Sequence, residues 1–255
     1  MSTLPSFRLD KQIAVVTGGG KGIGRGIALC LAQAGADVVI ASRTKTDLDA
    51  VVAEIEALGR RALAVTTDVT QSDQLKALGE RCQAELGVPT IWVNNAGGLP
   101  DATPRYLSRT LEDQWDAQID LNLKSVWLGS VAAADCMGGG GVIINISSRT
   151  AYGPQKKNGP YAASKAATNS LTQTLAAELA PTIRVNAIAP GPVASQNFFE
   201  STGLSQEQVT PEAGGLGVPL GRIGAPEDIG AAVVFMASPA ASWITGQCLY
   251  VDGGI

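Results

Sequence analysis

Short runs of apolar and β-branched residues alternate along the chain with longer stretches whose apolar positions recur every three or four residues. The short runs predict strands at 13–17, 37–41, 62–66, 90–94, 142–147, 183–189 and 247–251. The longer ones predict helices at about 23–34, 45–58, 71–86, 108–137, 161–180 and 226–238. This alternation argues for a doubly wound α/β chain, a parallel seven-stranded sheet of βαβ units with helices on both faces. No linker rich in Pro, Ser or charge divides the 255 residues, and α/β chains of ~250 residues often form one domain, so a single domain is expected. Only the stretch 194–222 lacks a clear period. Long irregular segments inside compact domains are often lids, and that is the expectation here.

Composition narrows the chemistry. Apolar residues make up 45% and charged residues 16%, which suits a large core. A net charge of −4 without a basic block leaves no stripe for nucleic-acid phosphates. The chain has no histidine, which excludes Ser-His-Asp and Cys-His catalysis and H-E-x-x-H zinc chemistry. Cys30, Cys82, Cys136 and Cys248 are far apart, suggesting neither a metal knuckle nor a dense disulfide framework and fitting a reducing cytosol. The first dozen residues lack an apolar signal core, and no apolar run reaches the ~18 residues of a membrane span. The expectation is a soluble, cytoplasmic protein with no nucleic-acid, membrane or metal partner.

Thr17-Gly-Gly-Gly-Lys-Gly-Ile-Gly24 follows the first predicted strand and precedes an amphipathic helix. In that position Gly18, Gly22 and Gly24 permit a tight turn and let a pyrophosphate approach the backbone, where a helix N-terminus stabilises it. No Gly-Lys-[Ser/Thr] is present, so a nucleoside-triphosphate loop is not supported. Roughly twenty residues on, a dinucleotide site shows an acid for a free ribose 2′-hydroxyl or a cation for a phosphorylated one. The chain offers Ser42 and Arg43 there, and Lys21 inside the loop. Two cations and no carboxylate favour NADP(H) over NAD(H). Asp37 is nearby in sequence but falls at the start of its strand, away from that end.

Tyr161 and Lys165, four apart at the head of a helix with Pro160 in its first turn, share a face. A neighbouring ammonium stabilises tyrosinate, so the phenol pKa is expected to fall from ~10 toward neutrality. Tyr161 is then a candidate proton donor to a carbonyl. Tyr152 and Lys156 have the same spacing, but Gly153 and Pro154 intervene, and Tyr152 reads as a loop or pocket-wall residue. Ser148 ends the fifth strand at the carboxyl edge of the sheet, placed to hydrogen-bond a substrate oxygen; no histidine exists to make it a nucleophile. Asn122 lies on a largely apolar helical stripe with Trp115, Ile119 and Val126, either as a packing amide in a bent helix or as the anchor of a proton path from Lys165; spacing alone favours packing.

Taken together, Thr17 to Gly24, Asp68-Val69, Asn94-Asn-Ala-Gly97, Asn122, Ser148, Tyr161 with Lys165, Pro190-Gly191 and Val251-Asp-Gly-Gly254 resemble the short-chain dehydrogenase/reductase family over nearly the whole chain. The resemblance implies a Rossmann-type fold and NADP(H)-linked interconversion of a carbonyl and an alcohol. It implies a tetrad of Asn122, Ser148, Tyr161 and Lys165. It also implies cofactor contacts from Gly18, Gly20, Lys21, Gly22, Ile23 and Gly24, from Ser42 and Arg43, and from Asp68 and Val69 flanking the adenine. Asn94, Ala96 and Gly97 would line the middle of the cofactor, and Pro190, Gly191 and Val193 its nicotinamide end, with Lys165 on the nicotinamide ribose. Ser195 stands where many relatives carry Thr, and the hydroxyl survives. A homotetramer built on the helices bearing Tyr161 and Pro226 is a further family expectation.

Three substrate classes compete: 3-oxoacyl-carrier-protein, hydroxysteroid or other bulky ketone, and sugar or polyol. The Met137-Gly-Gly-Gly-Gly and Ala180-Pro-Thr approaches lack the cations an acidic carrier protein calls for. Phe198 and Phe199 in the predicted lid suggest an apolar wall, or equally a lid packed onto the sheet. Gly98 and the Ala-Ser-Trp243 ending are similar to some bacterial hydroxysteroid dehydrogenases, so a bulky apolar carbonyl is the preferred expectation, with Gly98, Tyr152, Phe198 and Phe199 joining Ser148 and Tyr161 around it. An NADPH-binding sensor without turnover is the non-enzyme alternative, which an intact tetrad disfavours.

Overall fold

The computed structural model describes residues 6–211 and 214–255. Seven strands, β1 (Ile13–Thr17), β2 (Asp37–Ser42), β3 (Ala62–Thr66), β4 (Ile91–Asn94), β5 (Gly141–Ile146), β6 (Ile183–Pro190) and β7 (Cys248–Val251), form one parallel sheet. Their order is β3-β2-β1-β4-β5-β6-β7. Every strand prediction falls on an observed strand, with ends that differ by one residue at most. β1 is where the strand order reverses, so the crevice beyond the carboxyl ends of β1 and β4 is the place where this architecture binds ligands.

Strand residues alternate between two cores, as a sheet covered on both faces requires. One face packs on α1 (Gly22–Gln33), α2 (Lys45–Ala57) and α8 (Pro226–Ala237) through Ile27, Leu48 and Ile229. The other packs on α3 (Ser72–Glu85), α5 (Ser125–Cys136) and α6 (Gly159–Leu179) through Leu78, Ala133 and Leu175. The short helix α7 (Gln196–Thr202) lies in the segment between β6 and α8.

The predicted helix 108–137 is a correction. It is α4 (Glu112–Ile119), a π-helical turn at Asp120–Lys124, and α5, preceded by a separate short turn at Leu107–Arg109. Apolar periodicity cannot register one extra residue per turn, and π turns occur mostly as single insertions, frequently at functional sites. Asn122 sits in that turn. Among the described residues no helix is long and apolar enough to cross a membrane. Residues 1–5 of the opening stretch, and 212 and 213 of the predicted lid, lie outside the described residues.

Candidate active site

The turn from β1 to α1 runs through Gly18 and Gly22, both at positive φ (67° and 54°), which glycine adopts without strain. A Cβ on Gly24 would collide with the carbonyl oxygen of Gly18, so loop and helix pack backbone to backbone. No side chain caps α1, and its first turn holds no acidic residue. Its leading N–H groups and positive dipole end therefore remain unneutralised beside the crevice. Thr17 and Asn95 hold the loop in place. The Thr17 hydroxyl accepts from the N–H groups of Asn95 (3.0 Å) and Ala96 (3.1 Å), while Asn95 Nδ2 donates to the Thr17 carbonyl (2.9 Å). Both residues stand within motifs read from the sequence, but their side-chain role in holding the loop is not legible there.

Asn94 is a second correction. Its side chain does not line the crevice: it donates to the Val126 carbonyl, Ser130 and Asn145 and accepts from Trp92, all in the interior between β4 and α5. As the fourth residue of β4 it continues the face of Trp92, which packs toward α5. Ala96 and Gly97, beyond the strand, remain at the crevice.

At the other end of the crevice Lys21 and Arg43 are exposed and Ser42 is half-buried at the end of β2. The Thr70 amide and hydroxyl bond Asp68 (3.0 and 2.8 Å) and hold its carboxyl below the usual range, with a smaller contribution from the Arg43 charge. Val69 is buried beside it. Ile23 packs on the core below the loop. Asp37 lies at the opposite edge of the sheet, bonded to Arg60 and Arg61. Gly20 packs against Ser42 and Asp47, where a Cβ would meet the Asp47 Cβ at 3.0 Å. Asp47 brings a carboxylate-bearing residue near the loop that spacing did not reveal.

Tyr161, Ser148 and Lys165 meet at the carboxyl edge of β5. The Ser148 hydroxyl lies close enough to the Tyr161 phenol to act on its pKa, and it accepts from Thr150 Oγ1 (2.9 Å). Lys165 Nζ donates to the Ile146 carbonyl (2.9 Å) and lies 5.6 Å from the Tyr161 ring centre. Only 3% of Lys165 is exposed, and this burial lowers its pKa to about 8. Burial also pushes the Tyr161 phenol up, against a lowering contribution from Ser148. The expected depression of the phenol pKa is thus reversed in this state: desolvation of the tyrosinate outweighs its neighbours.

Asn122 is fully buried. Its Nδ2 donates to the carbonyls of Gly98 (2.9 Å) and Gln118 (3.1 Å), and its Oδ1 accepts from the Gly98 N–H (2.9 Å). This amide thus binds the Gly98 backbone as a missing strand neighbour would. A Cβ on Gly97 would lie 2.8 Å from Asn122 Oδ1 and 3.4 Å from Lys165 Nζ, so a side chain there would crowd both.

Pro190 ends β6, a Cβ on Gly191 would press on the Asp252 backbone, and Val193 is buried and bridges to Gly224. Ser195 caps α7 by accepting from the Phe198 N–H (3.2 Å) and lies close to Gly22. Phe198 and Phe199 stack edge to face and pack with Val209, Val218 and Ile223 in a small cluster of their own, joining neither sheet core. The α7 side chain nearest Gly98 is instead Asn197, whose Nδ2 lies 3.9 Å from where a Gly98 Cβ would be. Tyr152 is 81% exposed and meets Tyr250 edge to face.

Comparison with known proteins decides the lineage. The enoyl-(acyl carrier protein) reductase family model matches residues 18–255. The chain belongs to the short-chain dehydrogenase/reductase family. It is 42% identical over 255 residues to an uncharacterised oxidoreductase of Mycobacterium tuberculosis, covering 99% of this chain and 95% of that one. It is 40% identical to the 2-dehydro-3-deoxy-D-gluconate 5-dehydrogenase of Escherichia coli, over 98% of each. Among solved structures, a 7α-hydroxysteroid dehydrogenase complexed with NADH and 7-oxo glycochenodeoxycholic acid superimposes with a TM-score of 0.89 at 37% identity, covering 97% of this chain and 95% of that one. These relatives bear out the doubly wound fold and the oxidoreductase class.

Proposed function

We propose that this protein interconverts a ketone and a secondary alcohol with NADP(H) as hydride carrier. The observation that carries the reading is the convergence of the Tyr161 phenol, Ser148 hydroxyl and Lys165 amine, with the amine close to Gly97. The residues fit a dinucleotide, because an uncapped helix terminus free of carboxylates receives a pyrophosphate. Gly18, Gly20, Gly22, Ile23 and Gly24 would hold that group, with Lys21, Ser42 and Arg43 at the 2′-phosphate. Asp68 and Val69 would flank the adenine, Ala96 and Gly97 the middle, and Pro190, Gly191 and Val193 the nicotinamide, with Tyr161 and Lys165 at its ribose. When bound, the nicotinamide supplies or accepts the hydride. Tyr161 gives its proton to the substrate oxygen, and burial keeps that proton in place through neutral pH. Ser148 orients the same oxygen. Lys165 stabilises the tyrosinate left behind. Asn122 secures Gly98 and the π turn.

The segment 194–222 serves as the lid, and Gly98, Tyr152, Phe198 and Phe199 surround the substrate, the phenylalanines by shaping the lid from within. A bulky apolar carbonyl such as a hydroxysteroid is the first reading, supported by the likeness to the 7α-hydroxysteroid dehydrogenase. A second reading, a hydroxylated sugar acid, is favoured by the amide of Asn197 over Gly98 and by the gluconate-type relative. Exposed apolar side chains on α4 and α5, Trp115, Trp127 and Val131, support a homotetramer. Four free thiols suit a cytoplasmic location.

A panel of steroids, acetoacetyl thioesters, sugars and simple ketones, followed by NADPH and NADH absorbance, tests the reading. The expected result is turnover of at least one carbonyl or alcohol class, faster with NADPH. Binding of NADPH without turnover of any class would establish the sensor alternative. Arg43→Asp is expected to shift the NADP/NAD ratio of kcat/KM toward NAD by ~10- to 100-fold; an unchanged ratio overturns the phosphate assignment.

A further inference from the structure

The face of α6 that carries Tyr161 and Lys165 continues with Thr168 and Thr172, both buried. A helix face turned toward a sheet is ordinarily apolar. Here it is polar for three turns, and among the described residues no buried side-chain polar atom lacks a partner. Three consecutive residues of one chain segment supply the contacts. Asn145 Nδ2 donates to Thr172 Oγ1 (2.9 Å), the Ile146 carbonyl accepts from Lys165 Nζ (2.9 Å), and Ser147 Oγ donates to the Lys165 carbonyl (3.2 Å). Ser148 comes next.

Asn145 is itself fixed from the other side. It is the register partner of Asn94 on β4, whose Nδ2 donates to its Oδ1 (2.9 Å). Beyond Thr172 the line continues: the Thr172 hydroxyl donates to the Thr168 carbonyl (2.8 Å), and the Thr168 hydroxyl donates to the Ser164 carbonyl (2.9 Å) with the Asn122 carbonyl also within reach at 3.3 Å. One polar line thus runs from Asn94 through the sheet and along α6 to the π turn.

We infer that Asn145 and Thr172 are positioning residues whose hydrogen bond pins α6 against β5 and so sets the Tyr161 phenol against the Ser148 hydroxyl. Apolar contact is non-directional and tolerates a helix sliding on a sheet. An N–H···O bond has a narrow distance range, and slipping would leave a buried donor unpaired. The Lys165 contacts alone are one pivot, with a flexible four-carbon stem on the amine. Thr172 lies seven residues, about 10.5 Å, further along the axis. Two separated points stop both slide and swing.

The inference rests on the carbonyl–alcohol reading for its kinetic arm but has an arm that does not. Thr172→Val deletes the hydroxyl at nearly constant volume. It is expected to lower kcat by about 10- to 100-fold, the size of effect that ~1 Å of misplacement produces, with the NADPH Kd within about twofold. Thr172→Ser should recover most of the rate, and Thr174→Val, exposed on the same helix, should match wild type. Independently of turnover, the ¹³Cζ titration of Tyr161 should move upward in Thr172→Val as the lowering influence of Ser148 weakens, and return in Thr172→Ser. Should Thr172→Val not fold, Thr172→Ala carries the same two readouts. A folded hydroxyl-deletion variant with unchanged kcat and unchanged Tyr161 titration overturns the pin. Wild type that turns over no compound defeats the functional reading instead, and the titration then decides the pin by itself.

Discussion

Two tyrosines in this chain have a lysine four residues on, and the fold treats them in opposite ways. Tyr161 and Lys165 lie on one face of a 21-residue helix, with the amine withdrawn from solvent and bonded to a strand carbonyl. Tyr152 ends a short turn at Arg149–Tyr152, projects into solvent, and packs on Tyr250. The cation over a ring in its neighbourhood is Lys157, 5.5 Å from Tyr106. The Tyr152 turn borders an open groove of about 550 Å³ with Lys156, Lys157, Tyr106 and Leu107. Spacing brings a phenol and an amine within reach only when the backbone between them is helical, and it alters their chemistry only when both lose water.

The largest test of this contrast is removal of each hydroxyl. Tyr161→Phe is expected to lower kcat by about 10³-fold while NADPH binding, followed by fluorescence, is retained. Tyr152→Phe should stay within about threefold of wild type. Equal losses at both positions would place the acid elsewhere.

Next comes the pH dependence of the two directions. Burial holds the Tyr161 proton on, so reduction should be level through neutral pH and fall only well into the alkaline range. Oxidation needs the tyrosinate and should climb by up to about tenfold per pH unit over the same range. An oxidation rate already level at pH 7 would mean that the complete site depresses the phenol after all.

A smaller effect separates the lysines. Lys165 has its folded pKa lowered to about 8, below its unfolded value of 10.5. The unfolded chain therefore binds more protons between those two values, and stability gains from this residue as pH rises through that window. Below about pH 8 the native state holds a buried ammonium at a cost of about 3 kcal/mol. Lys165→Met, which also forfeits the bond to Ile146, is expected to melt a few degrees higher at pH 7, with the advantage shrinking toward pH 10.5. Lys156→Met, on the surface, should leave the midpoint unchanged. A Lys165→Met variant that melts lower at pH 7 would show the bond to Ile146 outweighing desolvation.

The same division runs through the rest of the molecule. The strands, the glycine loop and the first turn of α6 follow from local patterns, a period of two, a glycine turn and an early proline. The break at Asp120–Lys124 does not, because the π turn is stabilised by what Asn122 and Thr168 meet across the chain. Phe198 and Phe199 illustrate the limit for specificity: being apolar made them candidates for a wall, but Val209, Val218 and Ile223 gather them into a separate cluster and leave Asn197 nearest Gly98.

Amino-acid order alone determined the sheet, the doubly wound class, the family and the candidates for the reactive side chains, since periodicity and turn chemistry act over a few residues and survive in any context. Tertiary structure decided the direction of the Tyr161 shift, the interior role of Asn94 and the Asn145–Thr172 link. Each of these depends on loss of water and on partners up to 51 positions away in the chain, and a buried polar group takes its energy from those two things.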